Sequence, residues 1–249
     1  MLEYGLIGKR LLHSFSKNFF TKFFNTNHID ANYELFPLES ISKFPDLLRE
    51  HPNLAGINVT IPYKQSVIPF LDKLSPEAEN IGSVNVIKIT RDSDRILTVG
   101  YNTDCIGFRQ SIESFIPDKA THAIVLGSGG ASKAAAYVLR AMGVRTLIVS
   151  RSPHPGNDCL AYADLAKGNL LSHAVIVNAT PLGMYPDIES CPPIPYSNIS
   201  SDSFCYDMVY NPGFTEFMKR CAMQGAAVKN GLEMLHRQAV ASWQIWSDK

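Results

Sequence analysis

The five cysteines, Cys105, Cys159, Cys191, Cys205 and Cys221, are odd in number, and no two form a C-x-x-C pair. That pattern excludes a disulfide framework and a thiolate metal knuckle, and it reads as reduced thiols in a cytoplasmic protein. The seven histidines never pair at ligand spacing, so no metal site is expected. Long apolar runs are missing too; none approaches the roughly 20 residues of a membrane span. The opening MLEYGLIG has neither a basic n-region nor a long apolar h-region, so no signal peptide is expected. Neither sign of charge dominates, with 23 Lys+Arg against 23 Asp+Glu. With no basic run interleaved with aromatics, nucleic acid and membrane are not expected as partners. The same neutrality leaves a monomer and a homodimer equally open. Asn58-Val59-Thr60 and Asn178-Ala179-Thr180 match the glycosylation triplet, by chance in a cytoplasmic chain. No internal repeat or low-complexity segment is visible.

What is present suits an ordinary soluble α/β protein: 249 residues, 45% hydrophobic and 18% charged, long for one core and fitting two modest domains. The chain is organised around Thr121–Ser132, THAIVLGSGGAS. An apolar run, Ala123 to Leu126, has the length of one buried parallel strand. It breaks into Gly127-Ser128-Gly129-Gly130. Ala134, Ala135, Val138, Leu139 and Met142 then recur at helical spacing, with Gly143 at the C′ position. A second apolar strand, Val144–Val149, follows at once. This strand–turn–helix–strand unit predicts the first half of a dinucleotide-binding sheet. Gly127 permits the tight turn, Gly129 lets the backbone approach a pyrophosphate, and the helix N-terminus supplies free N–H groups. Ser132 stands at the third glycine-type position, a departure from the fingerprint.

An NAD site usually carries an acid at the end of the second strand to bond the ribose 2′-OH. Here that position reads Ser150-Arg151-Ser152, with no acid before Asp158. A carboxylate would repel a 2′-phosphate, whereas an arginine fork grips it, so the stretch favours NADP over NAD. The alternative is that Arg151 is simply an exposed loop residue.

Before that unit the chain reads as short strands and helices. Tyr4–Gly8 is strand-like and leads to His13-Ser14-Phe15-Ser16. If this segment is extended, the two hydroxyls point the same way and suit a carboxylate or polyol; otherwise they cap a helix over Lys17–Asn25. After a strand at Tyr33–Phe36 and a helix around Ile41–Glu50 comes GINVTIPYK. Ile57, Val59 and Ile61 alternate with Asn58 and Thr60 at the strand period, Pro62 ends the strand, and Lys64 stands just past its carboxyl end. Ligands gather there in open α/β sheets, so Lys64 is either an acid/base or a solvated surface lysine. Leu74–Asn80 reads as a helix capped by Ser75, and Ile81–Ile87 as a strand in which Asn85 either pins a turn or donates to a ligand. Arg91–Arg95 reads as a hairpin turn. Gly100–Asp104 leads into a helix over Cys105–Phe115, for which Thr103 or Asp104 could serve as N-cap.

Beyond Ser152, the strand Ala174–Val177 ends in the polar loop Asn178–Met184, where a nicotinamide would sit. Asp187–Asp202 is rich in Pro and Ser and is expected to be a mobile surface loop. A strand over Phe204–Val209 carries Asp207; a helix (Thr215–Gln224) and a short strand (Ala226–Val228) follow. The last helix places Leu232, Leu235, Ala239, Trp243 and Trp246 at three-four spacing, a core stripe, with Gln238 near it.

Taken in order, GLIG…HSFS, GINVTIPYK, IGSVNV, GYNTDCIGF, VLGSGGASKA, SRS, NATPLGM, YDMVYNP and KNGLEMLHRQ span nearly the whole chain, which closely resembles the shikimate dehydrogenases. GINVTIPYK and GYNTDCIGF are specific to that resemblance. The departures are Arg10, Lys17, Phe20-Thr21, Ser150 and His154. The resemblance implies an N-terminal α/β substrate domain (1–103, with the helix 231–249 packing back on it) and a C-terminal Rossmann-type, doubly wound NADP-binding domain (104–230). The active site would lie in the cleft between them. It implies the reversible reduction of 3-dehydroshikimate to shikimate with NADPH. Lys64 would be the catalytic acid/base and Asp104 its partner, while Ser14, Ser16, Thr60, Asn85, Tyr210 and Gln238 would hold the substrate. Gly127, Ser128, Gly129, Gly130, Ala131, Ser150, Arg151, Ser152, Thr180, Met208 and Gly231 would line the NADP site. The competing readings are a quinate- or NAD-using relative, a non-catalytic NADP-sensing regulator, and a folate-linked dehydrogenase.

Overall fold

Two α/β units share the chain: Met1–Thr103 together with Ala239–Lys249, and Asp104–Gln238. The structure, a computed structural model, describes residues 1–9, 11, 14–92, 95–153 and 158–248. No described helix is long and apolar enough to cross a membrane, and no described His, Cys, Asp and Glu side chains gather as a metal site.

The first unit runs β1 (Leu2–Gly8), α1 (Phe15–Thr26), β2 (Ala31–Pro37), α2 (Phe44–Glu50), β3 (Leu54–Val59) and α3 (Tyr63–Ser66). It continues through β4 (Lys73–Leu74), α4 (Pro76–Ile81), β5 (Val86–Asp92) and β6 (Arg95–Tyr101). Its sheet has the order β2-β1-β3-β5-β6-β4, parallel around β1 and antiparallel across β3, β5 and β6. The alternation in β3 does not separate a wet face from a dry one. Ile57 and Val59 are buried, but so is Asn58 between them, because both faces of this inner strand are covered. Asn58 is satisfied there: it accepts from the Tyr33 hydroxyl at 2.7 Å and donates to Ser242 Oγ at 3.2 Å. The strand stops at Val59, and Ile61, expected on its apolar face, is 65% exposed. Gly82, at φ +66°, ends α4 in the left-handed region, so Ile81 closes a helix and the next strand starts only at Val86.

The final helix, labelled α8 (Leu232–Ser247) in chain order, supplies part of this core. Trp246 packs on Tyr4 and Phe20 at ring-centroid distances of 4.9 and 5.2 Å, and its indole N–H donates to Ile87 O at 3.0 Å. The stripe thus reads correctly at its C-terminal end, whereas Leu232 is exposed and Met234 is buried in its place. Residues through Gln238 belong to the second unit, so the return to the first falls inside α8 and not ahead of it.

The second unit comprises α5 (Asp104–Ile112), β7 (His122–Leu126), α6 (Gly130–Ala141), β8 (Arg145–Ser150) and β9 (Cys159–Ala161). Then follow β10 (Val175–Asn178), β11 (Phe204–Asp207), α7 (Glu216–Ala222) and β12 (Ala227–Lys229). All pairs are parallel, and the order β12-β11-β10-β7-β8-β9 is that of the doubly wound dinucleotide sheet. The strand order reverses between β7 and β10. The Pro/Ser-rich stretch expected as a mobile surface loop is anchored instead: Ile194 and Ile199 are buried in the core with Phe217 and Cys221, and the Tyr196 hydroxyl donates to Pro192 O at 2.9 Å.

Candidate functional site

In the first unit, backbone hydrogen bonds draw three of the expected site residues together. Val59 N–H donates to Asn85 O at 2.8 Å, and Val84 N–H to Lys64 O at 2.7 Å. The segment after β3 and the segment before β5 therefore run side by side, carrying Thr60, Lys64 and Asn85. Lys64 sits in α3, which is anchored by its neighbour: the buried Tyr63 donates its hydroxyl to Leu38 O at 2.6 Å. Thr60 N–H donates to Ile7 O at 2.9 Å, just past the end of β3. Asn85 pins a turn: it donates to Thr103 Oγ1 at 3.0 Å and accepts from Thr103 N–H at 2.6 Å, fixing the residue ahead of Asp104. Asp104 opens α5 as its first residue.

The hydroxyl pair is not the extended pair that the spacing allowed. Ser14 is the N-cap of α1 and accepts from Lys17 N–H at 3.3 Å, while Ser16 already lies in the helix. Burial pushes the Tyr33 phenol up, and a hydrogen bond with Ser16 partly offsets this. Two of the departures find local roles: Lys17 pairs with Glu34 at 2.8 Å, and Phe20 is fully buried, stacked on Tyr33 at 4.8 Å. Arg10, His13 and His154 lie outside the described residues.

In the second unit, the glycine turn lies at the carboxyl end of β7, on one side of the switch point. Gly127 has φ +111°, and a side chain there would crowd Ser132 Oγ. Gly129, the N-cap of α6, has nothing within 4 Å of where a Cβ would stand, so its backbone is open to an approaching group. Gly130 and Ala131 form the first turn of α6. At the end of β8 the buried Ser150 donates to Ser128 Oγ at 3.2 Å and accepts from Ser152 N–H at 3.2 Å. The carboxyl end of β8 is thereby tied to the glycine turn, with Arg151 exposed between the two serines. Burial pushes the nearby Tyr162 phenol up, and the Arg151 charge pulls it back. These features fit a phosphorylated dinucleotide: an open helix N-terminus for the pyrophosphate and a cation for the 2′-phosphate.

Across the switch point, Thr180 follows β10, and Met208 follows β11. Met208 N–H donates to Asn178 O at 2.9 Å, and Gly231 N–H to Val209 O at 3.2 Å. Gly231 must be glycine because a Cβ would run into the Met208 carbonyl. Tyr210 lies in the turn after Met208, its phenol pushed up by burial. Gln238 donates to Leu235 O at 3.0 Å within α8, whose backbone crosses α5 at Gly107.

Sequence reasoning gave no role to the pair formed by Asn178 and Asp207. Both close an apolar strand with one polar residue, both are fully buried, and they are register partners. That shared terminal position, VIVN and FCYD, was the signal available. Asp207 accepts from Asn178 Nδ2 at 3.0 Å, Val209 N–H at 2.9 Å and Thr215 Oγ1 at 2.5 Å. Burial outweighs these bonds and pushes its carboxyl up from the ordinary 3.8 to about 6. Between those values the folded chain holds more of this proton than the unfolded chain, so stability falls as pH rises through the window. Two units of pKa correspond to about 3 kcal/mol. Relative to Asp207→Asn, the wild type is expected to lose stability by up to that amount between pH 4 and pH 7, in denaturant unfolding at both pH values. A difference that does not change with pH would contradict it.

Residues 6–87 match the family described as "Shikimate dehydrogenase substrate binding domain". The chain is 34% identical to the shikimate dehydrogenase (NADP(+)) of Caldicellulosiruptor saccharolyticus, over 100% of this chain and 93% of the relative. Among solved structures, shikimate dehydrogenase 1 from Peptoclostridium difficile superposes with a TM-score of 0.86 at 33% identity, covering 100% of this chain and 92% of the other. The enzyme from Thermus thermophilus, solved with NADP(H) and shikimate, gives 0.82 at 28% identity over 99% and 94%. By the extent and level of this likeness, the chain belongs to the shikimate dehydrogenase family.

Proposed function

We propose that the chain catalyses the reversible NADPH-dependent reduction of 3-dehydroshikimate to shikimate, a step toward chorismate and the aromatic amino acids. The observation that carries this reading is the switch point of the second unit. There an open glycine turn adjoins a strand end that offers Arg151 and no acid, the chemistry of a 2′-phosphorylated dinucleotide. Lys64, Ser14, Ser16, Thr60 and Asn85 belong to the first unit, whereas Asp104, Tyr210, Gln238 and the residues read for the cofactor belong to the second.

When bound, the reduced nicotinamide supplies a hydride to the C3 carbonyl. Lys64, as an ammonium, stabilises the oxygen that gains negative charge and gives it a proton; in oxidation it accepts the proton back. Asp104 is its partner carboxylate. Ser14, Ser16, Thr60, Asn85, Tyr210 and Gln238 hold the substrate's carboxylate and hydroxyls through neutral donors and acceptors. Gly127 to Ala131 take the pyrophosphate, Ser150 to Ser152 the adenosine 2′-phosphate, and Thr180, Met208 and Gly231 the nicotinamide half. The unpaired cysteine pattern supports a cytoplasmic setting.

Reduced-nicotinamide absorbance, with shikimate and quinate each tested against NADP and NAD, decides the matter. Turnover with shikimate and NADP alone is expected. Turnover with quinate or NAD would make this a broader-specificity relative, and NADP binding without any turnover would make it a regulator.

A further inference from the structure

We infer that Asp207 is a positioning residue for the nicotinamide half of the NADP site, acting through Asn178 on Thr180. The inference rests on the reading of the second unit as an NADP site. Asn178 and Asp207 are the last residues of the neighbouring parallel strands β10 and β11, and both are fully buried. An asparagine amide has a donor end and an acceptor end of nearly the same shape, so a partner must decide which way it points. An ionised carboxylate only accepts, so Asp207 takes the NH₂ end of Asn178 at 3.0 Å. The carbonyl end is thereby aimed at Thr180, where it accepts from the backbone N–H at 3.1 Å and from Oγ1 at 2.6 Å. Thr180 Oγ1 in turn accepts from Leu182 N–H at 3.3 Å.

The loop that these bonds shape packs beside the glycine turn. A Cβ on Gly127 would lie 3.2 Å from Ala179 O and 3.3 Å from Thr180 Cγ2, so the loop that Asn178 shapes is the wall facing that turn across the switch point. The same carboxylate also holds the end of β11, because Val209 N–H donates to it at 2.9 Å directly after Met208. Its donors, Asn178, Val209 and Thr215, are all neutral. Burying a carboxylate among neutral partners is costly, as its raised pKa records, and an asparagine of the same shape would avoid that cost. What the asparagine would not do is force the polarity of Asn178. The adenosine end lies at β8, on the far side of β7 from β10 and β11, and makes no direct hydrogen bond with Asp207 or Asn178.

The test is to measure dissociation constants of NADP⁺ and of adenosine 2′,5′-bisphosphate, the adenosine half alone, by calorimetry. Wild type, Asp207→Asn, Thr180→Val and the double variant are compared. Asp207→Asn is expected to weaken NADP⁺ by about tenfold, the effect of one buried hydrogen bond, and to leave the bisphosphate unchanged. Because Asp207 acts through Thr180, the double variant is expected to bind NADP⁺ no more weakly than the weaker single variant. Equal loss of both ligands, no loss of either, or additive losses in the double variant would overturn the inference. Should Asp207→Asn fail to fold, Asn178→Ala, which breaks the link between Asp207 and Thr180, is judged by the same contrast, and unchanged NADP⁺ affinity in it would overturn the inference. Wild type that binds NADP⁺ without oxidising shikimate would refute the proposed activity and leave this inference standing on its own measurements. Wild type that binds no NADP⁺ would refute both.

Discussion

Replacing Lys64 by alanine is expected to lower kcat for shikimate oxidation by about a hundred- to ten-thousand-fold, the range for losing a general acid/base. KM for NADP is expected to stay near its wild-type value, because the cofactor residues lie in the other unit. The lysine is half-buried in α3 and held by Tyr63 on one side and by the Val84 N–H to Lys64 O bond on the other. Removal of its side chain therefore leaves the turn itself in place. Lys64→Arg separates charge from proton transfer: a guanidinium keeps the positive charge but does not give up a proton, so oxidation is expected to stay slow. A kcat near wild type in Lys64→Ala would end its role as acid/base.

Arg151→Ala is expected to raise KM for NADP by about ten- to a hundredfold, the effect of losing charge-assisted hydrogen bonds to a phosphate. KM for NAD is expected to change little. Arg151 is exposed, and its backbone is fixed by the two bonds that Ser150 makes, one to Ser128 in the glycine turn and one to Ser152 N–H. The cation is thus presented beside the turn without holding up the sheet, so cofactor preference should move without loss of stability. The effect should shrink as salt rises, because an exposed charge is screened. Parallel loss of NADP and NAD would show that Arg151 serves the loop and not the 2′-phosphate.

The glycine turn, α6 and Arg151 were legible because their signals are local: an apolar strand, glycines at the turn, helical spacing, and a cation where an acid usually stands. The caps of α1 and α4 were legible for the same reason. What escaped notice depends on residues far apart in sequence. Asn58 and Asn178 look alike in sequence, each a polar residue in an apolar run. One is satisfied by Tyr33 and Ser242, the other by Asp207, and neither partner is adjacent. Of the two serines read as an extended pair or as caps, Ser14 is the cap, while Ser16 lies inside the helix, which begins at Phe15 and not at Lys17. Composition misled at residues 187–202, where proline and serine outnumber the two isoleucines that hold the segment to the core. For Lys64 and Asp104, position alone left both readings open, and the family resemblance assigns them their roles.

The passage of α8 from one unit to the other has a consequence for biosynthesis. The second unit is a single uninterrupted stretch, whereas the first needs Ala239, Ser242, Trp243 and Trp246 to cover Asn58, Gly56 and the rings of Tyr4, Phe20 and Phe24. A nascent chain emerging from the ribosome therefore has the later unit complete while the earlier one still shows an open aromatic face. Domains usually finish in the order in which they are made. Here the first to be translated is the last to close.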